Sequence, residues 1–168
     1  DLESQIAALE NLLAEDESKL DNLAEIISGN RLKAIPLLSD KMVGILSELG
    51  MPNVRFQIGV TPANHYYING KDQLKFLFSA NKGSDFGLLK KVASGGEMSR
   101  IMLAVKSILA QYSNLPTIIF DEIDTGVSGE LANKMAGNMK DMSQTMQVFA
   151  ITHLPQIAAK GDSHFKVS

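Results

Sequence analysis

A chain of 168 residues, 45% hydrophobic and 21% charged, holds about one domain of ordinary globular material, which excludes a disordered or fibrous protein. The absence of cysteine excludes a disulfide framework and a thiolate metal site, and a net charge of −3 argues against a freestanding nucleic-acid binder, whose modules usually carry a basic excess. No apolar run approaches the ~20 residues of a membrane span, and Asp1-Leu2-Glu3 has neither the basic region nor the apolar core of a signal peptide, so the expectation is a cytoplasmic protein with no membrane partner.

Leu2, Ile6, Leu9, Leu13, Asp16, Leu20, Leu23 and Ile27 recur at alternating spacings of four and three, apolar except at Asp16. The pattern predicts one helix of a coiled coil over residues 1–28. A lone seam cannot bury itself, so it needs a partner helix from another chain or from another part of a longer protein; the alternative is an amphipathic helix packed on its own domain. The heptads begin without a cap, which predicts that the chain is a fragment. Ser28-Gly29-Asn30 is expected to interrupt the helix. A second helix follows through Ile35, Leu38, Met42, Ile45, Leu46 and Leu49, with Pro36 kinking it or marking its first turn, and Gly50 and Pro52 closing it. The period then changes. Val54, Phe56, Ile58 and Val60 alternate with polar residues or glycine, and His65–Ile68 and Leu74–Phe78 flank Asn69-Gly70-Lys71-Asp72, which predicts an antiparallel meander turning at Asn69-Gly70. Asn81 to Asp85 reads as a loop.

Ala93-Ser94-Gly95-Gly96-Glu97-Met98-Ser99-Arg100 then runs directly into the apolar Ile101–Val105. Ser94 and Glu97 have the spacing of a capping box, and Gly95 and Gly96 leave the first helical turn bare of side chains. A phosphate could approach the free N–H groups and the positive end of the helix dipole. The helix from Glu97 to about Tyr112 is expected to bury Ile101, Val105, Ile108 and Leu109. Thr117–Phe120 reads as a strand buried on both faces of a parallel sheet, and a helix from about Ser128 to Met142 follows with Leu131, Met135, Met139 and Met142 as its core stripe. Val148–Ile151 completes a βαβ unit whose crossover should be right-handed. A short helix from Pro155 to Lys160 ends at Gly161, and His164–Val167 could begin another strand.

Chemistry is expected at the carboxyl ends of the parallel strands. Asp121, Glu122 and Asp124 follow the first strand. Adjacent carboxylates there are costly without a cation, so Asp121 is placed to hold Mg²⁺ and Glu122 to orient or deprotonate a water. Thr152-His153 follows the second strand, and the imidazole could hydrogen-bond a phosphate oxygen or the attacking water.

Ser94-Gly95-Gly96-Glu97, Thr117-Ile118-Ile119-Phe120-Asp121-Glu122, Asp124-Thr125-Gly126 and His153 resemble, in that order, the signature motif, Walker B, D-loop and switch histidine of SMC-like ABC-type ATPase heads of chromosome-maintenance and DNA-repair proteins. The resemblance implies an α/β fold: the C-terminal half of such a head, with a parallel βαβ core and an antiparallel β meander at 31–168, preceded by the return helix of a coiled-coil arm at 1–30. It implies that Asp121 coordinates Mg²⁺, Glu122 is the general base for ATP hydrolysis and His153 senses the γ-phosphate. Ser94, Gly95 and Gly96, within the signature that Glu97 completes, would bind the γ-phosphate of ATP held by a second protomer, with Asp124 working across that homodimer interface. The lysine-bearing phosphate loop, G-x-x-x-x-G-K-[ST], is absent from the sequence. The N-terminal half of the same protein would have to supply it, and this chain alone is expected to be inactive. DNA is the implied partner, in double-strand break repair.

Two other readings remain. The acidic residues could form a free-standing metal-dependent phosphohydrolase or nuclease, or the chain could be a structural dimerisation module. Residues 71–91 hold Lys71, Lys75, Lys82, Lys90 and Lys91 against Asp72 and Asp85, a solvated basic face or a DNA contact.

Overall fold

A computed structural model describes residues 1–89, 93–127 and 129–166. They form two compact units, one of Asp1–Leu38 with Ile58–Lys75, the other of Ser39–Gln57 with Phe76–Ser168.

Helix α1 runs without a break from Leu2 to Glu48, with Pro36 inside it, so the expected interruption at Ser28-Gly29-Asn30 does not occur. Glycine costs a helix about 1 kcal/mol and an interior proline about 3 kcal/mol. Side-chain bonds offset part of that cost in the first unit. Ser28 donates its hydroxyl to Asp72 at 3.1 Å, and Arg31 pairs with Asp72 at 2.8 Å while donating to the Asn69 carbonyl at 2.6 Å. One helical turn of α1 is thereby tied to a hairpin. The heptad residues Leu2, Ile6, Leu9, Leu13, Leu20 and Leu23 are all exposed, and Ala24 is the one buried residue of the helix in this unit.

The hairpin joins β1, Arg55–Tyr67, to β2, Gly70–Ser79. The two expected short runs before the turn are one strand of 13 residues passing through Pro62. The turn itself is Ile68-Asn69, one residue earlier than expected, with Gly70 at φ +120° opening β2. A β-carbon on Gly70 would lie 3.3 Å from Ile27 and 3.1 Å from the Arg31 guanidinium, so glycine is needed for both its dihedral and its closeness to α1. The third strand of the meander is not among the expected runs: β3 is Gly87–Leu88, antiparallel to β2.

In the second unit α1 ends as its glycine predicts. Met51 N–H reaches the Leu46 carbonyl at 2.9 Å and Gly50 N–H the Ser47 carbonyl at 3.2 Å, with Gly50 at φ +80°. This is the Schellman arrangement, and Met51 and Leu46 are both buried as its apolar contact requires. Helix α2, Gly95–Tyr112, buries Ile101, Leu103, Ala104, Ser107 and Ile108. Leu109, expected on that face, is exposed, because the packed stripe runs through Leu103 and Ala104 instead.

Strand β4, Thr117–Asp121, pairs in parallel with β5, Gln147–Ile151, across helix α3, Gly129–Met142. Met135, Met139 and Met142 pack in the core with Leu49, Leu103 and Phe120, as their spacing indicated. The expectation that these strands are buried on both faces is corrected. Ile118 and Phe120 are buried, whereas Ile119 is 58% exposed and Ile151 56%. The register pairs Ile119 with Phe149 and Asp121 with Ile151, which gathers the exposed apolar residues on one face. Apolar runs of this kind need cover on both sides, and among the described residues the core cluster lies against one. Helix α4, Pro155–Ala158, has proline in its first turn. His164, Phe165 and Lys166 form no strand; Val167, the helix start expected at Ser128, and Lys90 and Lys91 of the basic cluster lie outside the described residues.

Candidate functional site

Ser94 caps α2 with extended backbone, φ −70° and ψ 167°. Its N–H donates to Glu97 Oε2 at 2.7 Å, and its hydroxyl accepts from Glu97 N–H at 3.4 Å, closing the capping box. A β-carbon on Gly95 would meet nothing within 4 Å, so the first turn is open to a ligand; one on Gly96 would lie 4.0 Å from the Thr125 carbonyl. The glycine pair therefore sits beside the turn that follows β4.

That turn is tied to the tip of β5. Glu122 N–H donates to the Ile151 carbonyl at 3.0 Å, while Thr125 donates to the Glu122 carbonyl through its N–H at 3.3 Å and its hydroxyl at 2.9 Å. These bonds hold Glu122 at φ +45°, the only described non-glycine residue at positive φ. A strained backbone of this kind persists where the surroundings over-determine it. The parallel register brings Asp121 and Glu122 next to Thr152 and His153. Asp121, Glu122 and His153 are exposed. An open cleft of about 250 Å³ lies between α2 and the end of β4, lined by Ser99, Met102, Lys106, Phe120, Asp121 and Glu122 among others.

Asp124 behaves differently. It is 1% exposed; its Oδ2 accepts the Thr152 hydroxyl, and its Oδ1 has no partner among the described residues. Its side chain faces the interior of this chain. Thr152 adds a contact that the sequence did not single out by itself, and a hydroxyl residue immediately before a strand-tip histidine was the available signal.

Carboxylates exposed at a strand tip beside a bare helix start fit a magnesium–phosphate group in chemistry and placement. Among the described residues, however, no three His, Asp or Glu side chains gather to hold a metal alone. Asp121 would be one ligand, with the rest supplied by phosphate, water or another polypeptide.

No family profile matches the chain. It is 40% identical over 164 residues to the DNA repair protein RecN of Rickettsia typhi, covering 98% of this chain and 29% of that protein. The RecN protein of Xylella fastidiosa is 34% identical over 169 residues, 99% of this chain and 30% of the relative. Over nearly all of its length the chain is therefore similar to RecN proteins. It spans about three tenths of the curated relatives it matches. An Smc head domain with an extended coiled coil, derived from Pyrococcus furiosus and bound to the C-terminal domain of ScpA, superposes with a TM-score of 0.63 at 22% identity, covering 93% of this chain and 38% of that one. The mixed α/β fold, a long helix followed by an antiparallel and a parallel sheet, is that of part of an Smc head domain. The residues expected from the sequence to form the site, Ser94 to Glu97, Asp121, Glu122, Asp124 and His153, all lie around one end of the β4–β5 pair.

Proposed function

We propose that this chain is the C-terminal lobe of a RecN-like ATPase head, residues 31–168, entered by the return helix of a coiled-coil arm, residues 1–30, and that the whole protein serves recombinational repair of DNA double-strand breaks in the bacterial cytoplasm. The observation that carries the proposal is the convergence of a glycine-opened capping box, two strand-tip carboxylates and a histidine at one end of the β4–β5 pair. The names of the relatives supply the repair context.

On this proposal Asp121 is a magnesium ligand, Glu122 orients and deprotonates the attacking water, and His153 bonds the γ-phosphate. The free N–H groups at Gly95 and Gly96, with the Ser94 hydroxyl, bind the γ-phosphate of ATP held by a second protomer, where they stabilise charge that develops during transfer. Glu97 closes the cap behind them. Because the Asp124 carboxylate points inward, its part at the dimer interface goes through the loop that it anchors. The N-terminal half brings the phosphate loop and covers the exposed face of Ile119, Phe149 and Ile151, and the outgoing helix of that half covers the heptad leucines. Hydrolysis removes the phosphate that bridges the two heads and loosens the dimer.

The test is Glu122→Gln in the full-length protein. Turnover falls by at least about 100-fold, the lower end for removal of a general base, while sedimentation shows a dimer that accumulates with ATP. Normal turnover in that variant would remove Glu122 as base. The 168-residue chain alone hydrolyses no ATP above a Glu122→Gln control, and Mg²⁺-dependent activity above that control would mean that the phosphate loop is dispensable.

A further inference from the structure

We propose that Thr152 is a positioning residue for ATP turnover, coupling the acidic turn after β4 to the histidine at the tip of β5. The role rests on the ATPase function proposed above and assigns it a residue outside the signature, Walker B, D-loop and switch positions. The Thr152 hydroxyl donates its single hydrogen to Asp124 Oδ2 and accepts the Leu154 N–H at 3.0 Å. Its one donor and an acceptor site are thus both used, and both bonds are non-exchangeable with a methyl group. Asp124 is buried, and Thr152 is its one side-chain donor among the described residues, Oδ1 being left without a partner. A carboxylate so placed is costly to keep, and that bond is the one side-chain hydrogen bond it has among the described residues.

The consequence spreads to both sides. On one side Asp124 shapes the turn, its carbonyl accepting Val127 N–H at 3.0 Å, and Glu122 stands two residues before it at positive φ. On the other side Leu154 is the N-cap residue of α4 and has no side-chain cap of its own. His153 therefore lies between two residues fixed by the same hydroxyl. Its ring is exposed, and the anchoring of the backbone on either side limits where that ring can reach. Thr152 touches neither water nor phosphate on this account; it acts through Asp124 and His153.

Steady-state MgATP hydrolysis by the full-length protein decides the matter, with Glu122→Gln measured alongside. Thr152→Val lowers kcat by about 10-fold or more, the range for loss of an outer-shell partner, and leaves KM for ATP within about threefold. Thr152→Ser, which keeps the hydroxyl, restores kcat to within about threefold. Thr152→Val combined with Asp124→Ala loses no more than the worse single variant, because both remove one link. A change that merely loosened the fold would add to Asp124→Ala and would not be rescued by serine. Should Thr152→Val fold poorly, Thr152→Ala carries the same comparison. Glu122-dependent turnover with a Thr152→Val kcat within twofold of wild type overturns this inference alone. Turnover that ignores Glu122→Gln overturns the ATPase function and the inference together.

Discussion

Glu122 is held where an L-residue is strained, and the cost can be measured apart from its chemistry. At φ +45° the β-carbon crowds the neighbouring carbonyl, worth about 1–2 kcal/mol. The backbone cannot relax, since its N–H is taken by Ile151 at 3.0 Å and its carbonyl by two groups of Thr125. Glu122→Ala removes the carboxylate and keeps the strain. Glu122→Gly removes both, at the expense of the extra freedom glycine has in the unfolded chain, about 0.4–1 kcal/mol. The difference leaves the glycine variant more stable than the alanine variant by about 0.8 kcal/mol at mid-range and by about 1.6 kcal/mol at most, whereas at an ordinary loop position alanine is the more stable. Urea denaturation of both variants, compared by midpoint at equal slope, reads this directly. An alanine variant more stable than the glycine variant by about 0.4–1 kcal/mol, as at an ordinary loop position, would show that Glu122 carries no strain. In the full-length protein the glycine variant is expected to be as dead in turnover as Glu122→Gln, so that the stabilising change and the functional one oppose each other.

Asp72→Ala removes an acceptor that is only 6% exposed and leaves the Arg31 guanidinium, 21% exposed, without its pair. The expected loss is about 2–3 kcal/mol on urea unfolding, with Asp72→Asn losing less because it still accepts from Ser28; a loss below about 0.5 kcal/mol would mean that the pair does not hold the hairpin to α1. The Tyr66 phenol donates to Asp21 at 2.6 Å, and that bond, with some desolvation, raises it above the usual 10.0. Asp21 is lowered below 3.8, first by the Tyr66 hydroxyl and then by Lys71. A raised tyrosine stabilises the fold below its unfolded value and stops doing so as pH rises through its folded value; a lowered aspartate contributes above its unfolded value and ceases as pH falls through its folded one. The cluster is therefore expected to loosen in acid below the ordinary carboxylate range and in alkali above that of tyrosine. Phenolate absorbance, taken as the difference between wild type and Tyr66→Phe, should titrate above the ordinary tyrosine value and move back toward it in Asp21→Asn; an unmoved titration would refute the link.

What the sequence disclosed and what it withheld divide along the range of the interactions. The Ser94–Glu97 capping box and the Gly50 helix end are settled within a few residues, and the chain adopts both as their spacing indicates. The methionine stripe of α3 is legible for a similar reason, since a helical period survives any detail of packing. The errors have partners distant in sequence. Gly29 looked like a helix break because propensity counts its cost and not the bonds that Ser28 and Arg31 make to Asp72, more than forty residues away. Period alone places Leu109 in the core, yet the neighbours of α2 select a stripe shifted toward Leu103 and Ala104. The apolar run Thr117–Phe120 was read for what such a strand needs, cover on both faces, and the chain supplies that cover on one. The same mismatch is informative rather than accidental. Ile119, Phe149 and Ile151 stand on a face that the described residues leave uncovered, and this is the face that the proposed function gives to the N-terminal half. Around the site, residue types could be read in order along the chain, but the positive φ of Glu122 and the inward turn of Asp124 could not. Both follow from hydrogen bonds to the end of β5, and only the folded pairing of two strands brings those groups within reach.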